Sequence, residues 1–263
     1  MARKPSRAKE IIERVFFERY EAGATEVTFL RSDLHDVCKK YDIKPLANMG
    51  DGAVYAFRYR TPLPNKILNT QPEGQEWIIE GAGIGAYRFK LVKKTRIVPR
   101  NDLITIKIPD ATPEIISTHK LDDEQALLAI VRYNRLIDTF LGLTTYSLQN
   151  HLRTTVRGTG QIEIDELYIG LDRHGCHYVI PVQAKGGNDQ IGIVQTTQDI
   201  RFADQRFPGM RCRAIAVQFM DDEIVALFEL TLQDDDIKVV DEKHYRLVSS
   251  SSLDNAAIQS YRD

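Results

Sequence analysis

Cysteine is scarce in this 263-residue chain, with 3 residues at Cys38, Cys176 and Cys212. An odd, widely spaced set argues against a disulfide framework and lacks the paired spacing of a zinc finger. It fits a reducing cytoplasm. No apolar run approaches the roughly 18 residues that suggest a membrane span, so no membrane partner is expected. The opening "MARKPSRAKE" is basic but leads into an amphipathic pattern, not a signal-peptide core. His35, His119, His151, His174, His177 and His244 show neither metal-ligand nor triad spacing. The glycines of "GAGIGAYRF" lack the Lys-Ser/Thr and the following helix of a phosphate loop. They read as a hairpin turn, and no nucleotide cofactor is expected. There is no internal repeat.

What is present is an ordinary core-forming composition, 43% hydrophobic and 27% charged. The net charge of −2 conceals an asymmetry. Residues 1–100 carry 19 Lys and Arg against 12 Asp and Glu, and the remainder carries 16 against 25. A basic first part points to nucleic acid. An acidic second part argues against a broad basic groove but suits a metal site, which needs carboxylates.

The chain divides by pattern near residue 115. In 1–115, "SRAKEIIERVFFERY" has helical spacing at Ile11, Ile12, Val15 and Phe16. "TFLRSDLHDVCKKYDI" predicts a second helix capped by Ser32 or Asp33. A strand is expected at Ala53–Arg60, followed by "EWIIEG", "GAYRFKLVKK" and "LITIKIP". Helix, helix and paired strands with basic tips is similar in order to a winged-helix module; a generic α+β domain is the alternative. For residues 116–233 the expectation is a long helix from Asp122 with a short one at "YSLQNHL". A hairpin of "QIEIDELYIGL" and "CHYVIPVQAK" follows, then a helix over Ile191–Phe207 and strands "RCRAIAVQF" and "EIVALFELTL". Residues 234–263, with "DDD" and "SSSS", read as an acidic, Ser-rich tail that is only partly ordered.

The hairpin carries the chemistry. Residues two apart on a strand share a face, so Gln183 and Lys185 point one way, as do Glu163 and Asp165 on the partner. The apolar phase of the first strand changes from Ile162 and Ile164 to Leu167 and Ile169. That change predicts a bulge at Asp165–Glu166 that re-aims side chains. Carboxylate, amide oxygen and ammonium are then expected in one small volume. A hard cation such as Mg²⁺ takes oxygen ligands, available here from Asp165, Gln183, the Ala184 carbonyl and Glu163. Lys185 is placed to orient water and to stabilise charge on a phosphate.

The block "GQIEIDELYIGLDRHGCHYVIPVQAKGG" resembles the PD-(D/E)XK nuclease superfamily. Its "EID" and "QAK" pieces look like the Mrr-type branch, in which glutamine commonly replaces the second carboxylate. The likeness covers about Gln125–Leu230, and the proline that names the motif is absent, Ile164 standing before Asp165. The resemblance implies a mixed sheet flanked by helices in an α/β (α+β) chain, preceded by the basic winged-helix-like domain. It implies Asp165 as metal-binding aspartate, Gln183 as second ligand, Lys185 as catalytic lysine and Gln195 as a polar residue near the site or DNA backbone. Whether Glu124, Asp138 or Glu163 completes the site is left open. The activity implied is Mg²⁺-dependent endodeoxyribonuclease, with Mn²⁺ as a substitute, in a restriction system of a prokaryotic cytoplasm. Its partners are double-stranded DNA and a second copy in a homodimer. A repair or structure-specific nuclease on the same core, or a non-catalytic winged-helix regulator, is the alternative.

Within that picture DNA contacts are expected from Arg31, Lys39 and Lys44 around the second helix. Arg58 and Arg60 are expected on one face of the strand. Met49, in the loop "ANMGDG", either packs against the neighbouring strand or wedges between base pairs.

Overall fold

The computed structural model describes residues 6–59, 61–93, 97–119, 124–186, 189, 191–220, 223–253 and 255–261. The chain forms two compact units. One comprises Met1–Thr95 with Thr155–Ile162, the other Arg96–Thr154 with Glu163–Asp263. The division therefore falls at 95/96 rather than near 115, and a hairpin tip from the middle of the chain joins the first unit. Among the described residues no helix is long and apolar enough to cross a membrane.

In the first unit, α1 (Arg7–Phe17) starts at Ser6, whose hydroxyl accepts the Lys9 N–H at 3.3 Å. Its buried residues Ile11, Ile12, Val15 and Phe16 form one helical stripe. Strand β1 (Glu26–Leu30) buries Val27 and Phe29 in strict alternation. At the start of α2 (Arg31–Lys40) the Asp33 carboxylate accepts the Leu30 N–H at 2.7 Å, satisfying a donor just ahead of the helix. A π-helical stretch, Gly50–Tyr55, runs into α3 (Ala56–Tyr59), and α4 (Asn65–Leu68) follows. The segment expected as a strand at Ala53–Arg60 is thus helical over residues 53–59, and Arg60 lies outside the described residues. Ala53, Val54 and Phe57 are the buried residues, a spacing of a helix and not of a strand. Strands β2 (Gln75–Gly83) and β3 (Ala86–Lys93) complete an antiparallel sheet of order β1-β3-β2. Phe16, Phe29, Trp77, Ile79 and Phe89 fill its core. Gly81 has a steric role: a Cβ there would stand 1.6 Å from the Thr159 carbonyl oxygen.

The second unit is built on an eight-stranded mixed sheet flanked by helices, an α+β arrangement. It contains β4 (Thr105–Pro109), α5 (Glu114–His119), α6 (Glu124–Tyr133), α7 (Leu136–Leu141), β5 (Thr144–Val156), β6 (Gly160–Leu171) and β7 (His177–Lys185). Then come α8 (Ile193–Arg206), β8 (Arg211–Cys212), β9 (Ala214–Phe219), β10 (Ile224–Gln233), β11 (Asp236–Val248) and α9 (Asn255–Gln259). The strand order is β4-β11-β10-β9-β7-β6-β5, with β8 beside β7. β7 pairs antiparallel with β6 and parallel with β9, which places it centrally. Ile180, Val182 and Ala184 on one face of β7 pack with Leu127, Leu128 and Val131 of α6. A second core joins Ile200 of α8 to Ala216 and Phe228.

Two expectations fail here. "YSLQNHL" is not a helix but part of the 13-residue strand β5. Residues 234–263 are not a tail: β11 pairs along the whole of β10 and carries β4 on its far side. Asp234 and Asp235 both adopt left-handed backbone, φ 53° and 61°, and make the tight turn of that hairpin.

Candidate functional site

Asp165, Gln183 and Lys185 meet at the end of the β6–β7 pair. The two strands are in register from Leu171–His177 to Glu166–Val182, with no shift. The ladder ends at Glu166, and Asp165, the first residue of the expected bulge, has no backbone partner in it. The apolar phase blurs because β6 is buried on both faces, Glu166, Leu167 and Tyr168 in succession. Just beyond the last paired residues, the Ala184 N–H donates to the Asp165 carboxylate at 2.9 Å. A side chain has taken over where the backbone ladder stops. A strand residue sends its N–H and C=O to the same edge, so the Ala184 carbonyl lies on the Asp165 side.

Gln183 is buried, 1% exposed. Its amide Nε2 donates to the Thr196 hydroxyl of α8, and that hydroxyl donates to the Gly192 carbonyl at 3.1 Å. This fixes the amide with Oε1 as the remaining acceptor, and Oε1 has no hydrogen-bond partner among the described residues. Lys185 is largely covered, and its Nζ stands 3.7 Å from Glu124 Oε1 at the first residue of α6. A half-exposed pair of that kind contributes only about 0–1 kcal/mol to stability, so its effect is to aim the ammonium.

A further carboxylate, unanticipated from the sequence, completes the group. Asp199 lies on α8 one turn after Thr196, is 3% exposed, and has an Oδ1 without a partner among the described residues. Burial, and next the Asp165 charge, hold its carboxyl well above the usual carboxylate range, with Lys185 opposing them. Burial also raises Asp165; the Ala184 N–H and Lys185 pull it down, while Glu124 and Glu163 push it up. The sequence did hold a signal: Thr196, Asp199, Ile200 and Ala203 share the buried stripe of α8, and an aspartate is foreign to such a stripe.

The three acidic alternatives separate. Glu124 is at Lys185. Asp138 instead accepts from Arg135 at 2.6 Å, from the Thr145 N–H at 2.8 Å and from the Thr145 hydroxyl at 2.9 Å, so it ties α7 to β5. Glu163 is committed to Arg153 at 3.1 Å and faces His151 at 3.4 Å; only its field reaches Asp165. Gln195 is half-buried in the first turn of α8, and its neighbour Thr196 makes the contact with Gln183. Among the described residues no three His, Cys, Asp or Glu side chains converge as a metal-binding group. A cation here would depend on the Gln183 oxygen and the Ala184 carbonyl as well as on carboxylates.

Of the residues expected to contact DNA, Arg31, Lys39 and Lys44 are exposed in the first unit. Arg58 is half-buried against the Tyr59 ring, 5.1 Å from its centroid. Its Nε and one terminal nitrogen have no partner among the described residues. Arg60 lies outside the described residues. Met49 is 2% exposed and sits in the core, its sulfur accepting the Leu46 N–H at 3.4 Å, so it is no wedge. Comparison with protein-family models, with curated proteins and with solved structures returns no match.

Proposed function

We propose that the second unit is a divalent-metal-dependent endodeoxyribonuclease to which the first unit delivers duplex DNA. One observation carries the reading: two buried oxygens without partners among the described residues, Gln183 Oε1 and Asp199 Oδ1, occur with Asp165 and Lys185 around the end of β7. Each such group costs a fold about 1–3 kcal/mol, which apolar residues at both positions would avoid. Bare oxygens suit a hard cation, Mg²⁺ or Mn²⁺. Asp165, the Gln183 oxygen, the Ala184 carbonyl and Asp199 are the residues to hold it. When bound, such an ion lowers the pKa of its water and screens a phosphodiester's charge.

The chain's own groups divide the remaining tasks. Lys185, aimed by Glu124, orients an attacking water and stabilises the charge that develops on the phosphate. Thr196 holds the Gln183 amide so that its oxygen, not its nitrogen, faces the site. The Ala184 N–H keeps one Asp165 oxygen fixed and leaves the other for the cation.

The element order of the first unit supports a winged-helix-like recognition module: α1, β1, α2, the Gly50–Tyr59 helical run, then the β2–β3 pair on a β1-β3-β2 sheet. Its basic excess supports duplex DNA as the ligand, with Arg31, Lys39, Lys44 and Arg58 as contacts. Cutting both strands of a two-fold site calls for a homodimer. Plasmid digestion with Mg²⁺ tests the reading. Discrete fragments are expected of a restriction-type enzyme. Cleavage confined to branched or damaged DNA would move the protein to structure-specific repair, and binding without cleavage would make it a regulator.

A further inference from the structure

The β2–β3 hairpin ends in an isoleucine that nothing in the fold requires. Gly83 and Ala86 are paired, so Ile84 and Gly85 alone make the turn. Gly85 has φ 66°, the left-handed value needed at the third position of such a turn. Ile84 occupies the second position, where proline and polar residues serve. Its relative exposure is 105%, so its side chain stands clear of the described residues.

The tip is nevertheless held. The Arg31 N–H donates to the Gly85 carbonyl at 2.8 Å, fastening the turn to the start of α2. The Arg31 side chain then reaches Asn48, at 3.2 Å, beside Gly50 at the head of the helical run. Leu30, half-exposed, pairs with Ala86 next to the tip. A fixed apolar point therefore projects beside an exposed arginine, in a unit rich in positive charge. Phosphates complement the charge, and between them a duplex offers stacked apolar bases.

We propose that Ile84 is a wedge that enters a base step of duplex DNA while Arg31 holds an adjoining phosphate. Apolar wedges of this kind partly unstack a step and kink the duplex by about 20–90°. The proposal rests on the reading of the first unit as a DNA-binding module, and it adds that binding bends the DNA.

The test uses the full chain and a duplex of about 30 base pairs, labelled at both ends for energy transfer, in Ca²⁺ to avoid cleavage. Wild type is expected to raise transfer on binding. Ile84→Ala is expected to bind about 10- to 100-fold more weakly, the factor that burial of an isoleucine is worth, and to leave transfer near that of free DNA. Its dependence on salt is expected to be unchanged, because phosphate contacts set that slope. Ile84 is fully exposed, so the variant folds, and equal melting temperatures verify it. Wild-type affinity and bending in Ile84→Ala would overturn the wedge and leave DNA binding intact. Absence of wild-type binding at low salt would overturn both. A free wild-type dimer that Ile84→Ala dissolves would reassign the residue to self-association.

Discussion

The Ala184 N–H donates to the Asp165 carboxylate at 2.9 Å, at the point where the β6–β7 ladder ends. One bond thus couples the strand geometry to the candidate site. Replacing Asp165 with alanine leaves that N–H without its acceptor and is expected to cost about 1–3 kcal/mol. Asp165→Asn keeps an acceptor oxygen and is expected to stay within about 1 kcal/mol of wild type. Urea unfolding of both variants checks the difference.

Asp199 and Asp165 both have carboxyls raised by burial. The native state therefore keeps its protons to higher pH than the unfolded chain does. Their stabilising contribution is complete below the ordinary carboxylate range and is lost as pH rises through the raised native values. Asp199→Asn removes the larger part of this loss. In a chelator, the variant is expected to be more stable than wild type at pH 7 and to show a flatter decline of stability from about pH 4 upward. A wild-type pH slope in Asp199→Asn would contradict the assignment of that carboxyl.

If oxygens at this strand end bind a cation, the cation stabilises the fold by mass action. Mg²⁺ and Mn²⁺ are expected to raise the melting temperature of wild type in proportion to the logarithm of their concentration. The rise is expected to be absent from Asp165→Asn, which loses the anionic ligand. Thermal melts over a concentration series measure it without reference to activity.

Gly81 permits a close approach that no side chain allows. Gly81→Ala sets a Cβ against the Thr159 backbone, which has no flexible end to move. The expected cost is about 3 kcal/mol or more, seen as a lower urea midpoint. A midpoint equal to wild type would mean that the Thr155–Ile162 tip is not held against β2.

The hairpin of β6 and β7 was legible in the sequence because β-branched runs there are bounded by glycines and joined by the short turn at Asp172–Cys176. Helix α8 was legible from its apolar spacing. β5 was not: as an edge strand it is exposed over Tyr146–His151, so no alternation marks it, and its leucines imitate a helical period. The Ala53–Arg60 segment misled in the opposite sense, because its aromatic composition suggested a strand while burial of Ala53, Val54 and Phe57 follows a helix. β11 was hidden by composition. Charged residues run through it (Asp236, Lys238, Asp241, Glu242, Lys243), and the aspartates before it, which resemble a disordered tail, are the turn itself. Asp199 was marked only as an aspartate in the buried stripe of α8; that this face meets the end of β7 needed the fold. Gln183 and Lys185 could be placed together from strand periodicity alone; that Glu124 aims the lysine needed the fold.

The most direct test of the central proposal is digestion of DNA of known sequence in Mg²⁺ by wild type and by Lys185→Ala, with the product ends sequenced. Lys185 is partly exposed and its pair with Glu124 adds little to stability, so the variant is expected to fold and to bind DNA as wild type does. The proposal predicts defined ends from wild type and at least a 100-fold lower rate from Lys185→Ala, the scale of losing one charge-stabilising group. Wild-type cleavage by Lys185→Ala would contradict it.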